Sequence, residues 1–314
     1  MSFDQGLKTI VVATGLDGHA EAALEYARKL ALNYGARIVL AHGLDPMDYA
    51  AVDGLPGSVE SHLTAEARKV LDKLAGDLLR EGIHSHSEVR QGAVAQMLVD
   101  VARQHEAGLI VIGTKGKEGA GPVVVGAVAE QLVRLAPCPV LAVAADWNAG
   151  KNRPAPGGPV LLAVESNDAA TAAAATAYSL AVTFSRPLLL LHVRTEAEYR
   201  AGKDPCAATP KDFGVNLPPR PHHARSGGSG WLLNEAPVHC IVKDGDPGEA
   251  IQEAIAECHP CILVAGVKRM SGRRGPHGTA FALLTASRVP VLCVPPEARR
   301  VDVEELVALP VGAP

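Results

Sequence analysis

The chain has 314 residues, and 30 Lys+Arg stand against 34 Asp+Glu for a formal charge of −4. That length suits two domains, and that charge excludes a strongly basic nucleic-acid binder. Hydrophobic residues make up 47% and aromatics only 4%, so aliphatic side chains must build the cores, as in parallel strands buried under Ala-rich helices. The apolar run Ile10 to Ala13 opens the chain as a strand. A helical pattern follows from Ala20 to Leu32, with Gly35 as its stop. Arg37 to His42 reads as a second strand, about Glu60 to Leu79 as a charged amphipathic helix, and Ser87 to Arg90 as a strand. A helix (Ala93 to His105), the strand Leu109 to Ile112, a Gly-rich loop, a helix (Gly126 to Leu135) and the strand Pro139 to Val143 complete the first half. Alternation of this kind implies a parallel sheet with right-handed crossovers.

The second half repeats the order. Val160 to Val164, Ala169 to Ala181, Leu188 to His192, Gly248 to Glu257, Ile262 to Gly266 and Pro290 to Val294 match the first-half elements. His42 and His192, Gly113 and Gly266, and Pro139 and Pro290 recur at spacings of 150 to 153 residues. The expected organisation is a domain over 1–147, a Pro/Gly-rich linker at 148–158, a second domain over 159–296 and a tail at 297–314. The halves diverge at 195–237, where Pro205, Pro210, Pro218, Pro219 and Pro221 and then Ser226-Gly227-Gly228-Ser229-Gly230 exclude a continuous helix and predict a loop.

No apolar run reaches the ~18 residues of a membrane span. The opening MSFDQGLKTIVV has no signal-peptide pattern. A cytoplasmic protein is expected, with its cysteines as thiols and with neither membrane nor nucleic acid as partner.

Gly113-Thr114-Lys115-Gly116, nine residues, then Gly126-Ala127, a helix and Cys138-Pro139-Val140-Leu141 resemble the universal stress protein family, here as a tandem two-domain member. The family pattern is Gly, two residues, Gly, nine residues, Gly, then Ser or Thr. The resemblance implies two similar α/β domains of the adenine nucleotide alpha hydrolase-like kind, each a mainly parallel five-stranded open sheet with helices on both faces. It also implies a stress-response role and an ATP pocket. Independently of the name, glycines let backbone approach a ligand, and a helix start offers N–H groups to an anion.

The implied nucleotide site in the first half is Thr14, Gly15, Gly43, Gly113, Lys115, Gly116, Gly126 and Ala127, with Mg-ATP as ligand. Two departures stand out: Gly15 replaces the family carboxylate, and Ala127 replaces the phosphate-binding hydroxyl. Gly43, which follows the second-strand His42, keeps a backbone contact to adenine. In the second half, Glu165 keeps the carboxylate and Val193 follows His192. Gly266 is kept, but Arg269, beside Lys268, replaces the second glycine. Those five residues form a second candidate site for an anion. The expected mode of action is binding rather than turnover, with no catalytic residue and no metal ligand assigned. Slow nucleotide hydrolysis would need a carboxylate, and Glu165 alone stands at a matching position. The alternative reading is a degenerate tandem scaffold that binds protein partners and no nucleotide.

Other clusters have structural explanations. Cys258-His259-Pro260-Cys261 lies between a helix end and a strand start, where the helix dipole has the wrong sign for a reactive thiol. His84 and His86 share one strand face as surface histidines, and His42 and His192 mark matching strand ends. The last strands, Val140 to Val143 and Val291 to Val294, are unbroken apolar runs. Exposed, they would invite aggregation, so they are expected to pair within the chain as a pseudo-dimer. Pairing of whole chains into a homodimer stays open.

Overall fold

The structure is a computed structural model, and it describes residues 7–15, 20–46, 56–114, 126–147, 157–164, 168–194, 236–267, 283–284, 287 and 289–296. The stretches 195–235 and 297–314 lie outside the described residues, as do Lys115, Gly116, Glu165, Lys268 and Arg269.

The first half runs β1 (Thr9–Ala13), α1 (Ala20–Tyr34), β2 (Arg37–Leu44), α2 (Pro56–Arg80), β3 (Ser85–Gln91), α3 (Val94–Gln104), β4 (Leu109–Thr114), α4 (Ala127–Leu135) and β5 (Val140–Ala144). The second runs β6 (Val160–Val164), α5 (Asp168–Thr183), β7 (Leu188–Arg194), β8 (Val238–Asp244), α6 (Pro247–Cys258), β9 (Ile262–Gly266) and β10 (Val291–Val294). The ten strands form one sheet, ordered β3-β2-β1-β4-β5-β10-β9-β6-β7-β8. Neighbours are parallel within each half, whereas β10 pairs antiparallel with β5 through Val291 with Ala142, Leu292 with Leu141 and Cys293 with Val140. The expected intrachain pairing of the last strands is therefore present.

The strand order follows from side-chain chemistry. The inner strands are apolar on both faces, as in β1 with Ile10, Val11 and Val12 wholly buried. Helices cover both faces, so such strands have no polar side. The outermost strands, SHSEVRQ in β3 and VHCIVKD in β8, mix charged and apolar residues. Charged edges resist pairing with other chains. The repeat also extends to turns. Gly92 after β3 has φ +117 and Gly245 after β8 has φ +110, a region that favours glycine.

Two apolar layers sandwich the sheet. One packs α1, α2 and α5 side chains such as Leu30, Leu78 and Leu180 on one face; the other packs α3, α4 and α6 side chains such as Leu98, Leu132 and Ile251 on the opposite face. Both layers contain residues of both halves. No helix among the described residues is long and apolar enough to cross a membrane.

Candidate functional site

In the first half β1 connects toward β2 and β3 on one side, while β4 and β5 lie on the other. The carboxyl ends of β1 and β4 therefore flank a topological switch point, where open α/β sheets bind ligands. Register places Ala13 opposite Ala41, and Val12 opposite Val111. Thr14, Gly43 and Gly113 thus sit at the same end of three adjacent strands.

Their surroundings differ. The Thr14 backbone N–H and hydroxyl both donate to the Ala41 carbonyl, at 2.9 and 3.0 Å, and the Thr14 carbonyl accepts from His42 Nδ1 at 2.6 Å. Thr14 and His42 are buried, and this lattice ties the β1 exit to β2. His42 is thereby a satisfied structural histidine. Gly15, just beyond, is exposed.

Gly43 has a packing reason to be glycine. A Cβ there would meet Met97 Cε at 2.8 Å and Val94 Cγ2 at 3.0 Å, so α3 packs directly onto this backbone. Gly113 is half-buried in β4 opposite Val143 of β5.

α4 begins at this same end of the sheet, because it links the parallel strands β4 and β5. Gly126 is its N-cap, with φ −68 and ψ 153, and among the described residues no side chain caps it. The Gly126 carbonyl accepts from Ala129 and Glu130 N–H at 3.0 and 3.3 Å. Among the described residues, the N–H groups of Ala127 and Val128 have no partner, as expected of orphan donors in a first turn. Gly126 and Ala127 are exposed, and a Cβ on Gly126 would meet nothing within 4 Å. By contrast, α6 caps its own start, where the Asp246 carboxylate accepts from Gly248 and Glu249 N–H at 2.8 and 3.2 Å.

In the second half, Val193 and Gly266 occupy the matching strand ends. Val193 lies opposite Lys243, and Gly266 opposite Val294. Glu165, Lys268 and Arg269 fall outside the described residues, as do Lys115 and Gly116 of the first site.

Cys258 ends α6 and Cys261 precedes β9. Burial pushes the Cys261 thiol up to about 11, and burial and Glu257 raise that of Cys258. Neither is poised as a thiolate nucleophile.

One cluster was missed by the sequence reading. His86 and Glu88 share the face of β3 turned toward α3, and His105 follows the end of that helix. His105 Nε2 is bonded to Glu88 Oε1, and His86 Nε2 lies 3.7 Å from the same oxygen. The available signal was a His-x-Glu pair on one strand face. His105 joins it only through the tertiary fold.

The family model described as the universal stress protein family matches residues 6–144 and again 158–295. A universal stress protein of Methanocaldococcus jannaschii is 32% identical over 142 residues, covering 43% of this chain and 81% of the relative. One from Thermus aquaticus is 29% identical over 137 residues, covering 43% of this chain and 98% of the relative. Among solved structures, a universal stress protein from Archaeoglobus fulgidus has a TM-score of 0.66 at 16% identity, covering 92% of this chain and 98% of its own. A Pseudomonas aeruginosa structure described as a putative universal stress protein has a TM-score of 0.60 at 20% identity, covering 98% and 99%. These two structures share the fold across both halves, and the family model matches each half in turn: the chain belongs to the universal stress protein family.

Proposed function

We propose that this protein is a cytoplasmic stress-response protein whose first half binds an adenine nucleotide as Mg-ATP. It works by binding rather than turnover. The observation that carries the reading is the start of α4 at the sheet's switch point, exposed at Gly126 and Ala127 and uncapped among the described residues. Its free N–H groups and the positive end of its dipole suit a phosphate. Gly113 and Gly116 would bring backbone close to the same phosphates, with Lys115 adding charge. Adenine would lie near Gly15 and Gly43, where only backbone is on offer. Without a carboxylate at position 15 and a hydroxyl at position 127, affinity depends on backbone N–H groups and lysine.

The test is calorimetric titration of the nucleotide-stripped chain with Mg-ATP, beside the variant Gly126→Asp. The new side chain has room, and aspartate is among the preferred N-caps, so melting temperature should hold or rise slightly. Its carboxylate would occupy the N–H groups and repel phosphate. The expected result is one site per chain, weakened at least tenfold, about 1.4 kcal/mol, by the substitution. Absence of heat and of thermal shift at millimolar ATP would overturn the reading and favour the scaffold. Unchanged affinity in Gly126→Asp would reject this placement of the phosphates.

A further inference from the structure

We propose that His86, Glu88 and His105 form a binding site for a single borderline transition-metal ion such as Zn²⁺. Their ligand atoms all lie within 4.8 Å of one another. The two imidazole rings have centroids 5.6 Å apart and are tilted by 47°. Both Nε2 atoms address one carboxylate oxygen, Glu88 Oε1. A tetrahedral ion with ligands at ~2.0–2.2 Å holds them about 3.3 Å apart. His86 therefore has only a short distance to close, and its side chain, 62% exposed, is free to close it.

The remaining carboxylate oxygen is already held. Arg90 Nε donates to Glu88 Oε2 at 2.6 Å, and Arg90 also bonds the Gln104 side chain at the end of α3. The guanidinium thus orients the carboxylate and leaves Oε1 as its single ligating atom, the outer-shell role that metal sites commonly use. Glu88 and His105 side chains are only 10% and 14% exposed, so two ligands are fixed by packing.

Two imidazoles and one carboxylate select zinc, nickel or copper over calcium or magnesium, which require mostly oxygen ligands. The exposed side of His86 leaves the fourth position to water. The site lies on the edge strand, beside the end of α3, whereas the nucleotide reading uses the carboxyl ends of β1, β2 and β4. Metal binding would pin the α3 terminus to the sheet edge independently of nucleotide.

The experiment titrates the untagged, chelator-stripped full chain with Zn²⁺ by calorimetry and with Co²⁺ by visible absorption. Wild type should bind one ion at this site, with a Co²⁺ ligand-field band. His86→Ala removes an exposed ligand and should keep the wild-type circular dichroism spectrum and melting temperature without metal. It should weaken Zn²⁺ at least tenfold and abolish the Co²⁺ band, as should His105→Gln. The proposal is overturned by no binding at millimolar Zn²⁺, or by affinity and spectrum that both variants leave unchanged.

Discussion

Gly43 shows how a family position can carry two meanings. In the sequence it is the residue after His42, and the resemblance assigns it a backbone contact to adenine. The fold adds a reason independent of any ligand, since the space for a Cβ belongs to Met97 and Val94. Those partners lie some fifty residues away, so sequence could not supply this reason. The expected outcome of Gly43→Val is a loss of about 1–3 kcal/mol from overpacking, measured by chemical denaturation. Met97→Ala in the same chain should recover part of it, because the flexible Cε is the nearest obstacle. A full-sized loss that Met97→Ala does not relieve would place the strain in the backbone instead. Thr14 carries a comparable lesson. Its hydroxyl already donates to the Ala41 carbonyl, so its part at the proposed nucleotide site would be positional. The absent carboxylate at Gly15 and hydroxyl at Ala127 were both legible, because each is a plain departure from a spaced pattern.

Among elements, the buried strands were the most legible. Ile10 to Ala13, Leu109 to Ile112 and Val160 to Val164 are apolar on both faces, and only a covered parallel sheet accepts that. The edge strands gave weaker signals, because Ser85–Gln91 and Val238–Asp244 mix polar and charged residues with apolar ones without a regular alternation and face partly outward. Their ion pairs are tertiary. Arg194 Nε reaches Asp244 at 2.6 Å, and Lys243 reaches Glu253 and Glu257 at 3.1 and 2.9 Å. Helix starts separate by chemistry as well. α6 is closed by Asp246 with Pro247 behind it, whereas α4 opens on Gly126 with no cap. Asp246→Ala should cost about 1 kcal/mol, within the range for lost N-caps, visible as a lower denaturation midpoint at unchanged slope. No loss would mean that the Pro247 turn and helix packing fix this start without the carboxylate. If α4 is open because a ligand completes it, Gly126→Asp should stabilise the chain without nucleotide and lose that advantage with it.

At the scale of the whole molecule, the antiparallel β5–β10 joint turns two repeats into one body. The expectation rested on two apolar last strands that had to be covered. The structure covers them with each other, through Leu141 and Leu292, each 1% exposed. The joint continues into the layer around Tyr26 and Trp147, whose rings meet edge to face at 5.1 Å. That layer also holds Val160, Leu162 and Val294 from the second half. Separating the halves would expose two strand edges and part of two apolar layers, so neither half should melt alone. Calorimetry should give one unfolding transition, with calorimetric and van't Hoff enthalpies in agreement. Leu292→Ala should remove about 2–5 kcal/mol by leaving a cavity at the joint, and it should lower that single transition as a whole. Two resolved transitions in wild type, or a substitution that shifts only one of them, would show that the continuous sheet does not couple its halves. Coupling of that strength would also make a ligand of the first half raise the melting temperature of the second, which links the joint to any signal a bound nucleotide could send.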